Sequence, residues 1–128
     1  MGQPAKIAVI DDDQGFREAL EGLIASLGYS AVTFGSAQSF LDWSERRSVV
    51  CIVLDVRMPT IDGLELQAKL NAEPPTPPII FVTSYVDERL RRKALHAGAD
   101  GFFGKPVDHT ALIDCIRSAL LKANGSET

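Results

Sequence analysis

The sequence is short of the residues that most directly announce chemistry. It has two cysteines and two histidines in 128 residues. Cys51 and Cys115 each lie among apolar neighbours, and neither they nor His96 and His109 stand at metal-ligand spacing. That pattern implies free thiols in core positions and excludes a zinc site or a disulfide framework. No apolar run approaches the roughly 20 residues of a membrane span. The opening MGQPAKIAVI lacks the charged-then-apolar layout of a secretory signal. Lys6 stands where a myristoylation motif beginning at Gly2 wants Ser or Thr. The formal net charge is −4, so there is no overall basic footprint for nucleic acid. These absences leave one globular domain, expected in the cytoplasm, with no membrane contact and no direct nucleic-acid contact.

What is present is a series of short apolar runs. VVCIVL at 49–54 is rich in β-branched residues and ends abruptly in Asp55; it reads as a strand buried on both faces. Lys6 to Ile10 is a similar strand ending in Asp11, Asp12 and Asp13. Further strands are expected at Ala31 to Phe34, Ile79 to Val82 and Gly101 to Gly104. Between them lie helical patterns. Phe16, Leu20, Leu23, Ile24 and Leu27 form one apolar stripe, with Asp13 to cap its start and Gly28 its end. Ser36 to Trp43 predicts a second helix, Gly63 to Leu70 a third, and Val86 to Ala97 a fourth bearing Arg89, Arg91, Arg92 and Lys93. That basic stretch reads as a solvated face suited to an acidic partner. Asp108 caps a last helix, and Asn124 to Thr128 is a polar tail expected to fray. Pro74-Pro75-Thr76-Pro77-Pro78 is a stiff connection that no helix crosses.

Strand and helix thus alternate five times. This predicts an α/β fold with a five-stranded parallel sheet, helices on both faces, and the flavodoxin-like strand order 2-1-3-4-5. In that topology the ends of strands 1, 3, 4 and 5 converge on one rim, which gathers Asp11, Asp12, Asp55, Thr83 and Lys105. Clustered carboxylates repel, and a hard divalent cation such as Mg²⁺ answers the repulsion. Asp55 is then a nucleophile for a phosphoryl group, with Lys105 and Thr83 to contact its oxygens. Taken singly, each residue has a plainer reading: Asp11 to Asp13 as a helix N-terminal cluster, Thr83 as a backbone-bonded hydroxyl, Lys105 as a surface lysine. No local cap explains Asp55.

Four segments carry a family resemblance: VIDDD at 9–13, LDVRMPTIDG at 54–63, VTS at 82–84 and AGADGFFGKP at 97–106. The chain resembles a receiver domain of two-component response regulators over nearly its whole length. The wording around RMP, DGLEL and KPVD is most similar to receivers of the nitrogen-fixation-regulator (FixJ-like) type. The resemblance implies that Asp55 is the phosphoacceptor and that Asp12 is a direct ligand of Mg²⁺ or Mn²⁺. It implies that Asp11 holds a metal-bound water and that the backbone carbonyl of Arg57 is a further ligand. Thr83 and Lys105 resemble the phosphoryl-contacting pair, and Phe102 the aromatic switch coupled to Thr83. Arg57 and Tyr85 are expected to tune the lifetime of the phosphoryl group. The Lys105-Pro106 bond is often cis in the family, and Thr60 stands where the family most often has Gly.

The partners implied are a sensor histidine kinase and a second copy or output domain. The surface implied is helix 4, strand 5 and helix 5. Residues 1–124 are expected to form the receiver and 125–128 the start of a linker to a DNA-binding output domain not in this sequence. One alternative is a free-standing or degenerate receiver acting as a protein-binding module; the full acidic set speaks against the degenerate form. An aspartyl-phosphate phosphohydrolase needs a second Asp two residues after the nucleophile, where this chain has Arg57. A flavodoxin needs a hydroxyl- and glycine-rich loop after strand 1, where three acids would repel a flavin phosphate.

Overall fold

Among residues 4–125, which the computed structural model describes, strands and helices alternate along the chain. The order is β1 (Lys6–Ile10), α1 (Gln14–Ser26), β2 (Ser30–Phe34), α2 (Ala37–Leu41), β3 (Val49–Leu54), α3 (Gly63–Asn71), β4 (Ile79–Thr83), α4 (Glu88–His96), β5 (Gly101–Gly104) and α5 (His109–Gly125). A 3-10 turn at Arg46–Ser48 leads into β3. The strands form one parallel sheet in the order β2-β1-β3-β4-β5, as the alternation predicts.

Successive strand residues face opposite sides of the sheet, so each strand feeds two cores. Ala8, Ile10, Ile52, Leu54 and Phe81 pack with Phe40, Leu66, Leu70 and Ala94 beneath α2, α3 and α4. Ile7, Val9, Cys51, Val53, Ile80 and Val82 pack with Leu20, Ile24, Leu112 and Ile116 beneath α1 and α5. β3 is buried along almost its whole length because it sits between two strands and under helices on both faces.

The helix starts are set by acids and a serine. Asp13 accepts from the backbone N–H of Gly15 and Phe16, Ser36 from Ser39, and Asp87 from Arg89. Asp62 and Glu65 bond reciprocally to each other's backbone in a capping box. Gly28, at φ +92°, ends α1 in a conformation that disfavours any other residue.

Three boundaries differ from the sequence expectation by two residues, and several others by one. α2 stops at Leu41, although Trp43 still packs on Phe34 and Phe40. α4 begins at Glu88, because the Asp87 carboxylate captures the Arg89 N–H and leaves Tyr85 and Val86 in the preceding loop. α5 continues through Asn124 and Gly125, so those two tail residues are helical; residues 126–128 lie outside the described residues. α4 is joined to α3 at one end: the Gln67 Nε2 donates to the Ala94 carbonyl at 3.0 Å and the Asn71 Nδ2 to the Ala97 carbonyl at 2.9 Å. The peptide bonds Pro74-Pro75 and Lys105-Pro106 are cis.

Candidate functional site

Register assembles the rim. Ile10 pairs with Leu54, so the next residues, Asp11 and Asp55, emerge side by side; the Asp55 N–H donates to the Ile10 carbonyl at 3.1 Å. Thr83 pairs with Gly104, which places Lys105 one step beyond, its N–H donating to the Thr83 carbonyl at 2.9 Å. Thus the sheet's own hydrogen bonds bring four strand ends together.

The side chains meet there. Carboxylate oxygens of Asp11, Asp12 and Asp55 lie within 4.8 Å of one another. Asp11 and Asp55 are buried, at 1% and 7% exposure, whereas Asp12 is exposed. The Lys105 Nζ reaches back from β5 to 2.7 Å from the Asp11 Oδ2 and 3.5 Å from the Asp55 Oδ2. Burial pushes the Asp11 carboxyl above the ordinary carboxylate value, more than the Lys105 bond and the Asp13 N–H pull it down. Burial acts on Lys105 in the opposite sense, but its bond to Asp11 and the attraction of both carboxylates win. The ammonium is held above the ordinary lysine value.

Among the described residues, one buried side-chain oxygen, the Asp55 Oδ1, has no hydrogen-bond partner. A buried acceptor left unpaired costs about 1–3 kcal/mol or more, so such an oxygen marks a place built for something else. Three clustered carboxylates of which one oxygen is orphaned form a hard oxygen donor set, and it fits a divalent cation of the Mg²⁺ kind.

The other expected residues divide into near and far. Thr83 is fully buried at the end of β4, and its Oγ1 accepts the Tyr85 N–H at 3.1 Å. Arg57 is exposed on the loop after β3, with its guanidinium 4.0 Å from the centre of the Tyr85 ring. Phe102 is in register with Phe81 on β5, their rings 5.9 Å apart; it is half-buried and stands below the rim. Cys51 is buried and Cys115 half-buried, both free, and burial pushes the Cys51 thiol up to about 12.

Three residues of the site carry roles that the sequence pattern did not single out. A Cβ on Gly63 would stand 2.2 Å from the Asp55 carbonyl oxygen, so only glycine lets α3 start this close to β3. The Arg17 Nη1 donates to the Asp11 carbonyl at 2.8 Å and ties α1 to the end of β1. The ring of Phe16 lies 4.3 Å from the Lys105 Nζ. Gly63 had a visible signal, since glycine is a poor choice for the first turn of a helix. Phe16 had none beyond its place at the head of the α1 stripe.

The family model described as response regulator receiver domain matches residues 7–117. The response regulator protein TodT of Pseudomonas putida is 41% identical over 114 residues, covering 89% of this chain and 50% of TodT. The transcriptional regulatory protein FixJ of Bradyrhizobium diazoefficiens is 39% identical over 117 residues, covering 91% of this chain and 57% of FixJ. Among solved structures, the response regulator StyR superposes with a TM-score of 0.87 at 38% identity, over 97% of this chain and 63% of StyR. The chain therefore spans about half the length of the curated relatives it matches.

Proposed function

The chain belongs to the response regulator receiver domain family, and from that premise we propose that Asp55 accepts a phosphoryl group from a sensor histidine kinase. The observation that carries this reading is the pairing of an orphaned Asp55 Oδ1 with a Lys105 ammonium that already bridges Asp11 and Asp55. The Asp55 oxygen attacks the donor phosphorus; the new O–P bond forms as the donor's P–N bond breaks, and the electron pair leaves with the imidazole nitrogen. Lys105 neutralises charge on the transferred group, and its long 3.5 Å approach to Asp55 leaves room to move toward it. The Thr83 hydroxyl oxygen is occupied by the Tyr85 N–H, so its proton remains to donate to a phosphoryl oxygen.

Asp12, the Asp55 Oδ1 and the backbone carbonyl of Arg57 are the residues suited to hold Mg²⁺ or Mn²⁺, with Asp11 acting through water. When bound, the cation offsets the repulsion between carboxylates and an incoming anionic phosphoryl group. The switch we assign to Thr83 and Phe102 links the rim to α4, β5 and α5. That surface would then pair with a second copy or with an output domain. FixJ is a transcriptional regulatory protein, and a DNA-binding output domain under this receiver's control is the reading we favour, at work in the cytoplasm. Among the described residues no helix is long and apolar enough to cross a membrane.

The test is intact mass after incubation with Mg²⁺ and acetyl phosphate. The expected outcome is a gain of one phosphoryl group, lost in Asp55→Asn and without metal. A folded, metal-loaded chain that gains no mass would leave the domain as a binding module only.

A further inference from the structure

We propose that Phe16 is a positioning residue for phosphoryl transfer, its ring face holding the Lys105 ammonium at the rim while leaving it free to slide toward Asp55. The inference rests on Asp55 as phosphoacceptor. A lysine ammonium has three N–H bonds to satisfy. Two point at Asp11 and Asp55, at 2.7 and 3.5 Å. The remaining side meets the Phe16 ring at 4.3 Å, well within the distance at which a ring face attracts a cation. The Lys105 side chain is only 14% exposed, so the ring takes the place of water.

The ring is fixed by local structure. Asp13 caps α1 and accepts the Phe16 N–H at 3.3 Å, which locks the first turn. Phe16 also packs against the core beneath α1 and α5. That packing would be served by any large apolar side chain, whereas among these an aromatic ring face is the one that attracts an ammonium. The choice of a ring has a mechanical advantage. A carboxylate or carbonyl at this place would anchor Lys105 by a directional bond and oppose its approach to a phosphoryl group. A π face attracts the charge across its width, with little preference for one point on it. Phe16 thus supports the side chain without competing for it.

The experiment places phenylalanine with increasing ring fluorination at position 16 of the full chain, since fluorine drains the ring face while conserving shape. Phe16→Tyr and Phe16→Leu run alongside. Two quantities are read: the rate of acetyl-phosphate phosphorylation with Mg²⁺, and the NMR shifts of the Lys105 ε-methylene protons. The urea midpoint of each variant reports the fold. The expected result is a rate that falls stepwise with fluorination, to about a tenth for the fully fluorinated ring and for Leu. Tyr should stay within about twofold of wild type. The upfield ring-current shift at Lys105 should vanish in Phe16→Leu. A wild-type chain that is phosphorylated while the fluorinated chains react equally fast overturns the role of Phe16 alone. A wild-type chain that takes no phosphoryl group overturns the phosphoacceptor reading and the role of Phe16 with it.

Discussion

Thr60, in the loop between β3 and α3, has φ +71°, a left-handed conformation that crowds a β-branched side chain. Glycine enters that region freely but adds disorder to the unfolded chain. Thr60→Gly should therefore stabilise the fold by roughly 0.5–1 kcal/mol in a urea titration, the relieved strain exceeding the entropy cost. Gly63 predicts the reverse: Gly63→Ala forces the Asp55 backbone to move and should cost about 2–3 kcal/mol. Lys105 sets a pH dependence. The folded Asp11 carboxyl already holds its proton more tightly than the unfolded chain does, and Lys105 limits that shift. In Lys105→Met the shift grows, so the variant's stability deficit should be smallest below the ordinary carboxylate value and widen as pH rises through the acid range. Asp55 was legible in the sequence because it ends an apolar run with no local cap to explain it, whereas Asp11 and Lys105 stood out only once the strand order brought their strand ends to the same rim. Phe16 was not, because a ring at the head of a helix stripe looks the same whether it faces leucine or an ammonium. Asp55 was read as a strand-end acid, but nothing in the sequence identified the Asp55 Oδ1 as the oxygen left unpaired.

The elements were legible where capping and burial agree. β1, β3 and β5 have the expected limits because apolar runs bounded by acids or glycine admit no other register. α4 did not, because Val86 continues the apolar pattern while Asp87 ends it by capping. Asp87→Ala removes that cap and should cost about 1 kcal/mol, read in urea, with α4 amides exchanging faster than those of α3. The two free thiols make a second distinction between elements. Cys51 on β3, its thiol pushed up to about 12, should resist a thiol reagent in the native chain, and Cys115 on α5 should react slowly. Release of two reactive thiols before unfolding would contradict the burial of β3.

On the scale of the whole molecule, alternation and right-handed crossovers left few ways to wind five parallel strands, and the sheet order is the common one among them. The rim inherits its chemistry from that order. A cation held by acids from β1 and β3 would bind the folded chain and not the unfolded one. Mg²⁺ at a hundred times its dissociation constant should then raise stability by about 2.7 kcal/mol. Asp12→Asn or a chelator should abolish the gain in a thermal melt. The two amide bonds from α3 reach only the far end of α4, at Ala94 and Ala97, while the near end follows the exposed Tyr85 and Val86. A rod clamped at one end is a lever. Were the loop after Thr83 drawn toward the rim, the Gln67–Asn71 pair would serve as the fulcrum, and α4 would swing through an arc instead of sliding along its axis.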